Sequence, residues 1–189
     1  SKLYDLVKDG LSDFEIIDSN PRYIQQLDKI ENVRQILRYE QFKNCFRELD
    51  VSYITGETGA GKTRSVMEKY GYQNVYRVTD YDHPFDSYKG QDVIVFEEFR
   101  SSLKIQDMLN YLDGYPCELP CRYNNKLACF TKVYIITNIP FNQQYINIQA
   151  ESKETWKAFC RRIHHFFTCT KALGMQEETE WVQMTCFEK

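Results

Sequence analysis

Nowhere in this 189-residue chain is there a run of roughly 18 apolar residues, the length a helix needs to cross a bilayer. A membrane-spanning protein is therefore not expected. No basic start, apolar stretch and small-residue cleavage site opens the chain, so a secretory signal is not read there. An initiator Met is also lacking, and a longer parent chain with upstream domains is the expectation. Positive charge is not in excess: 24 Lys+Arg stand against 27 Asp+Glu, a net of −3. That balance argues against a protein that coats nucleic acid through a broad basic surface, but not against grip through a few basic loops. A disulfide framework is missing too. The seven cysteines are odd in number and scattered (Cys45, Cys117, Cys121, Cys129, Cys160, Cys169, Cys186), which fits a reducing compartment. Cys117, Cys121 and Cys129 offer a zinc-binding alternative, against which structural zinc sites favour tighter paired knuckles with a clear fourth ligand. Repeats and low-complexity segments are absent.

What remains is a globular mix, with 42% hydrophobic and 27% charged residues. A chain of this size buries roughly 70% of its unfolded surface. Residues 1–49 read as helical. Ser12 and Glu15 form a capping box, and Asn20-Pro21 opens a longer helix with Ile24, Leu27, Ile30, Val33 and Leu37 in one stripe. After Asp50 the pattern changes to short apolar strands, Val51–Thr55, Val75–Thr79, Asp92–Phe96 and Val133–Thr137. Helical stretches Thr63–Tyr70 and Leu103–Asp113 lie between them, which predicts an α/β fold with a mainly parallel sheet. Alternating residues around Tyr123–Lys126 predict a β-hairpin turning at Asn124-Asn125. A final helix is expected over Lys153–Arg161 and a strand over Ile163–Thr168.

The most specific motif is Gly56-Glu57-Thr58-Gly59-Ala60-Gly61-Lys62-Thr63, a complete GxxxxGK[ST] loop between a strand and a helix. Its glycines let backbone N–H groups curl around phosphates at a helix N-terminus. Lys62 is placed to reach the β- and γ-phosphates of ATP, and the Thr63 hydroxyl to ligate Mg²⁺. The strand Val93–Phe96 ends in Glu97 and Glu98. Such a strand delivers carboxylates to the ligand-binding edge of the sheet. Glu97 is the candidate for the Mg²⁺ shell, and Glu98 for accepting a proton from the attacking water. Asn138 ends the strand Val133–Thr137, where it either meets the γ-phosphate or caps the turn into Pro140. Arg161 and Arg162 close the last helix, as surface groups or as a finger completing a neighbour's site. His164 and His165 are adjacent, would face opposite sides of a strand and are read as structural.

In order and spacing, these elements over residues 50–168 resemble a superfamily 3 helicase. This AAA+-like ATPase occurs in circovirus-like rolling-circle replication initiators (Rep) of viruses and plasmids. Further support comes from Phe85–Gln91, Leu109–Pro116 and the Arg-Arg-Ile segment. The resemblance implies residues 1–49 as a helical oligomerisation domain, 50–168 as the ATPase core and 169–189 as a C-terminal tail. It implies a hexameric ring that hydrolyses ATP with Mg²⁺ and moves 3′ to 5′ on single-stranded DNA. The hairpin would enter the channel, with Arg122, Tyr123, Asn124, Asn125 and Lys126 holding DNA. Arg162 matches the family's finger better than Arg161. Two departures stand out: the family usually has Asp-Asp where this chain has Glu97-Glu98, and the hairpin lacks the Gly-rich lysine loop of circoviral relatives. The family's nicking endonuclease, with its His-hydrophobic-His motif, is not in these residues and is expected upstream. An RNA-directed ATPase of a small RNA virus, or an ATP-dependent assembly module that unwinds nothing, are the alternatives. A P-loop small-molecule kinase would need a lid and an acceptor pocket, of which the sequence has no sign. The protein would work in the cytoplasm if bacterial and in the host nucleus if it comes from a eukaryotic DNA virus.

Overall fold

The computed structural model describes residues 1–187, which divide into two units, residues 1–45 and 46–187. The first unit is helical: α1 (Lys2–Lys8), α2 (Asp13–Ser19), a 3₁₀ segment (Pro21–Gln26) and α3 (Leu27–Phe42). Ser12 and Glu15 close the capping box on α2. Val7, Ile16 and Ile30 form the centre of this unit, with Leu27, Val33 and Leu37 against it. The expected long helix from Pro21 differs in its first turns. Asn20 caps a 3₁₀ segment rather than an α-helix, and the tighter winding shifts the phase of the stripe. Ile24 consequently leaves the apolar face and is exposed.

The second unit is built on β1 (Asp50–Gly56), α4 (Lys62–Tyr70), β2 (Val75–Val78), β3 (Val93–Phe96) and α5 (Ile105–Tyr111). After these come β4 (Glu118–Leu119), β5 (Lys126–Leu127), β6 (Lys132–Ile136), α6 (Ile146–Glu151), α7 (Lys153–Arg162), β7 (His165–Thr170), β8 (Gly174–Glu177) and α8 (Thr179–Phe187). The main sheet runs β2-β3-β6-β1-β7-β8. Its first five strands are parallel, and β8 is added antiparallel to β7. The α/β fold with a mainly parallel sheet is thus as expected. β3 and β6 are buried at almost every position, as strands covered on both faces must be.

Arg47 is a buried cation at 3% exposure. It donates to the carbonyls of Phe130 (2.6 Å), Asp113 (3.3 Å) and Tyr115 (3.3 Å), and stacks over the Phe130 ring. These bonds offset the cost of burying the charge and tie the start of the unit to the turn after α5.

Residues 169–187 are more than a tail. They finish β7, supply β8 and form α8. The hairpin also differs from expectation, since Leu119 pairs with Lys126 and residues 120–125 make the connection. The turn is thus wider than Asn124-Asn125, and Lys126 lies in a strand. The Asn125 side chain accepts from the Cys121 N–H across the turn. His164 accepts the Val51 N–H on its Nδ1 at 3.0 Å, the structural role expected of it. No helix is long and apolar enough to cross a membrane among the described residues.

Candidate nucleotide site

The loop between β1 and α4 opens at the carboxyl edge of the parallel sheet. Gly59 and Gly61 have φ of 79° and 88°, a left-handed backbone that glycine adopts without a Cβ clash. Gly56, at φ of 144°, is also in the positive region and serves packing as well. A Cβ there would lie 2.0 Å from the Cys169 carbonyl oxygen of the adjoining β7. The Glu57 carboxylate accepts the Lys171 N–H at 2.8 Å, and the Ala60 carbonyl receives the Cys169 thiol. The β7–β8 turn therefore braces the loop from its flank. Lys62 Nζ donates to the Gly56 and Glu57 carbonyls at 2.9 and 2.8 Å, spanning the loop.

β3 stands two places from β1, with β6 between them, and its end meets the loop. Thr63 Oγ1 donates to Glu97 Oε2 at 3.0 Å. Glu97 is buried, and its other oxygen receives Arg77 Nε at 3.2 Å. The Tyr81 hydroxyl donates to the Glu97 carbonyl at 2.6 Å. Burial, then the charges of Glu97 and Glu98, push the Tyr81 phenol well above its ordinary pKa, so it stays a donor. Glu98 is exposed, with φ of 44°. Its neighbours explain that conformation: the Glu97 N–H bonds Val78 O at 3.0 Å and the Phe99 N–H bonds Ile136 O at 2.9 Å. Pinned on both sides to adjacent strands, the backbone turns out at Glu98 and directs it to the sheet edge. Non-glycine residues held this way cost about 1–3 kcal/mol and cluster at functional sites.

Asn138 follows β6. The turn-capping role is taken by Thr137, whose Oγ1 accepts the Ile139 N–H at 3.3 Å. Asn138 Oδ1 instead accepts from Arg100 Nη2 at 2.6 Å. One cleft of about 320 Å³ is lined by Thr58, Gly59, Gly61–Arg64, Glu97, Glu98, Arg100 and Ile136–Asn138. The loop, the acidic strand end and Asn138, separated by up to 80 residues from Thr58 to Asn138, therefore share one cavity. Sequence reading missed Arg100 and Arg77. The signal for Arg100 was a cation two residues beyond the acidic pair; nothing short of strand order could reveal Arg77.

Other expected site residues lie elsewhere. Arg162 is held within its own chain by the carbonyls of Leu109 (3.0 Å) and Ala158 (3.2 Å) and by Asp113 (3.5 Å). Arg161 is exposed. On the hairpin, Arg122 pairs with the Asp86 carboxylate and Lys126 Nζ donates to the Asp86 carbonyl, while Tyr123 is 93% exposed. Arg122 holds the Asp86 carboxyl below its usual range.

A family model described as RNA helicase matches residues 52–138, the stretch from β1 to Asn138. The chain is 29% identical over 143 residues to a replication-associated protein of goose circovirus, covering 73% of this chain and 46% of the relative. It is 28% identical over 89 residues to a replication-associated protein of canary circovirus, covering 47% and 30%. A replication protein of Onion yellows phytoplasma (strain OY-M) is 30% identical over 108 residues, covering 54% and 28%. Residues 52–138 thus resemble a Rep-type superfamily 3 helicase domain. The mainly parallel sheet and the phosphate loop between β1 and α4 give this unit a P-loop α/β fold. The chain spans less than half the length of each of these relatives. Among solved structures, the S. cerevisiae Hsp104-ADP complex aligns with 89% of this chain and 38% of its own, at 16% identity and TM-score 0.43.

Proposed function

We propose that this domain hydrolyses ATP with Mg²⁺ and uses the cycle to move along single-stranded nucleic acid as part of a replication initiator. The carrying observation is the 3.0 Å contact between Thr63 and Glu97, which brings a hydroxyl on the phosphate loop to a carboxylate on β3. A hydroxyl and a carboxylate are the hard oxygen donors Mg²⁺ takes beside nucleotide phosphates. The residues present therefore fit the ion, and Thr63 and Glu97 would hold it. When bound it supplies charge neutralisation across the phosphates. Backbone N–H groups of residues 57–63 bind the phosphate chain, and Lys62 places its positive charge at the terminal phosphates. Glu98, turned out at the sheet edge, orients the attacking water and takes its proton. Asn138 hydrogen-bonds the terminal phosphate or that water.

DNA is the substrate we favour, because the matched circoviral and phytoplasmal relatives are replication proteins. RNA is the second reading, favoured by the description of the matched family model. Assembly into a ring, hexameric in the resemblance, would let Arg161 or Arg162 act on a neighbour's nucleotide. Residues 1–45 would serve assembly, supported by exposed apolar side chains at Phe14, Ile24, Ile36 and Tyr39. A nicking domain upstream belongs to the same proposal. The direct test of the site is Glu98→Gln. It should bind ATP as tightly as wild type while turnover falls by about 10²-fold or more. Unchanged turnover would move the base away from Glu98.

A further inference from the structure

We propose that Arg100 is a positioning residue that fixes the amide of Asn138, so that the site distinguishes a nucleoside triphosphate from a diphosphate. The inference rests on the nucleotide reading above and adds a residue and a selectivity to it. A side-chain amide offers an acceptor on one side and a donor on the other, and its orientation follows from its partners. At 2.6 Å from Arg100 Nη2, Asn138 can present only its oxygen to the guanidinium. The NH₂ group is then directed away from Arg100. Both residues line the same cleft as Lys62, Thr63 and Glu98. A terminal phosphate extending from the loop toward Glu98 would meet a donor rather than a repelling carbonyl oxygen.

The segment bearing Arg100 is built to hold it there. Gln144 is 0% exposed and bonds three groups around that segment. Its Oε1 accepts from the Ser101 N–H (2.6 Å) and hydroxyl (3.0 Å), and its Nε2 donates to the Phe99 carbonyl (2.8 Å). The Ser101 hydroxyl also receives the Tyr145 N–H at 2.7 Å. Ser101 sits at φ of 52°, and this buried amide fixes that conformation. On the other side of Arg100, the Phe99 N–H is bonded to β6, the strand that leads into Asn138. Arg100 is therefore fixed at both flanks, and its bond to Asn138 links the end of β3 to the end of β6.

The test is equilibrium binding of fluorescent ADP and of a fluorescent non-hydrolysable ATP analogue, with Mg²⁺. Wild type is compared with Arg100→Ala, Arg100→Lys, Asn138→Ala and the double Ala variant. Loss of an oriented donor to a charged phosphate should weaken the triphosphate analogue about tenfold or more in Arg100→Ala, leaving ADP within about twofold. Arg100→Lys should restore part of the loss, because a single ammonium keeps charge but not the planar fork. The double variant should bind the analogue no more weakly than Asn138→Ala, since both act through one amide. Equal weakening for both nucleotides, or additive losses in the double variant, would overturn the role of Arg100. If wild type binds neither nucleotide, the nucleotide site itself is wrong, a separate result that overturns this inference with it.

Discussion

Single residues in the phosphate loop divide their work in a way the motif conceals. Gly59 and Gly61 supply left-handed backbone, whereas Gly56, itself at positive φ, also lets β1 lie against β7 in register with Cys169. A methyl at Gly56 would drive into a backbone carbonyl at 2.0 Å, and neither strand can yield without breaking the ladder. Gly56→Ala should therefore destabilise the fold by about 2–3 kcal/mol, the upper part of the overpacking range, since the positive φ adds strain. Chemical denaturation measures it; a midpoint unchanged from wild type would refute this assignment. Glu97 uses its length to reach both Thr63 and Arg77, so the Glu-Glu departure from the family's Asp-Asp still brings a carboxylate to Thr63.

Elements, rather than residues, show where sequence reading succeeds. β1, β3 and β6 were legible because strands buried on both faces carry near-continuous apolar runs, and the edge strand β2 because Val75, Tyr76 and Val78 are strand formers. The phosphate loop and the acidic strand end were legible because their chemistry requires those residues at a strand edge. Less was visible where geometry depends on distant partners. The 3₁₀ winding at Pro21, the role of Thr137 in freeing Asn138, and the anchoring of Arg122 and Lys126 by Asp86 all depend on such contacts. Arg162 is another case. It joins α7 to the carbonyl of Leu109 in α5, so any role toward a neighbouring subunit requires these bonds to be exchanged. Arg162→Ala should lower Tm by about 2–4 °C for the loss of roughly 1 kcal/mol, whereas Arg161→Ala should leave it unchanged. Equal Tm values for the two would contradict the local role. On the hairpin, Tyr123 is the side chain most available for stacking. Tyr123→Ala should weaken binding of labelled single strands about tenfold, as loss of one base-aromatic stack predicts; an unchanged affinity would remove the hairpin from the nucleic-acid path.

At the scale of the whole molecule, the net charge of −3 denies the protein a general attraction for nucleic acid. In the proposed function, gripping a strand would then fall to local features such as the hairpin. Avidity from several copies in a ring would multiply those weak contacts, which gives assembly a physical purpose beyond completing the nucleotide site. The central claim is thus a nucleotide motor with sites shared between subunits. Its most direct test is steady-state ATP hydrolysis across a wide range of protein concentrations, with and without single-stranded DNA or RNA. Activity per subunit that rises steeply with concentration, and rises further with DNA more than with RNA, is the predicted result. Activity per subunit that is flat with concentration and indifferent to either nucleic acid would contradict the account.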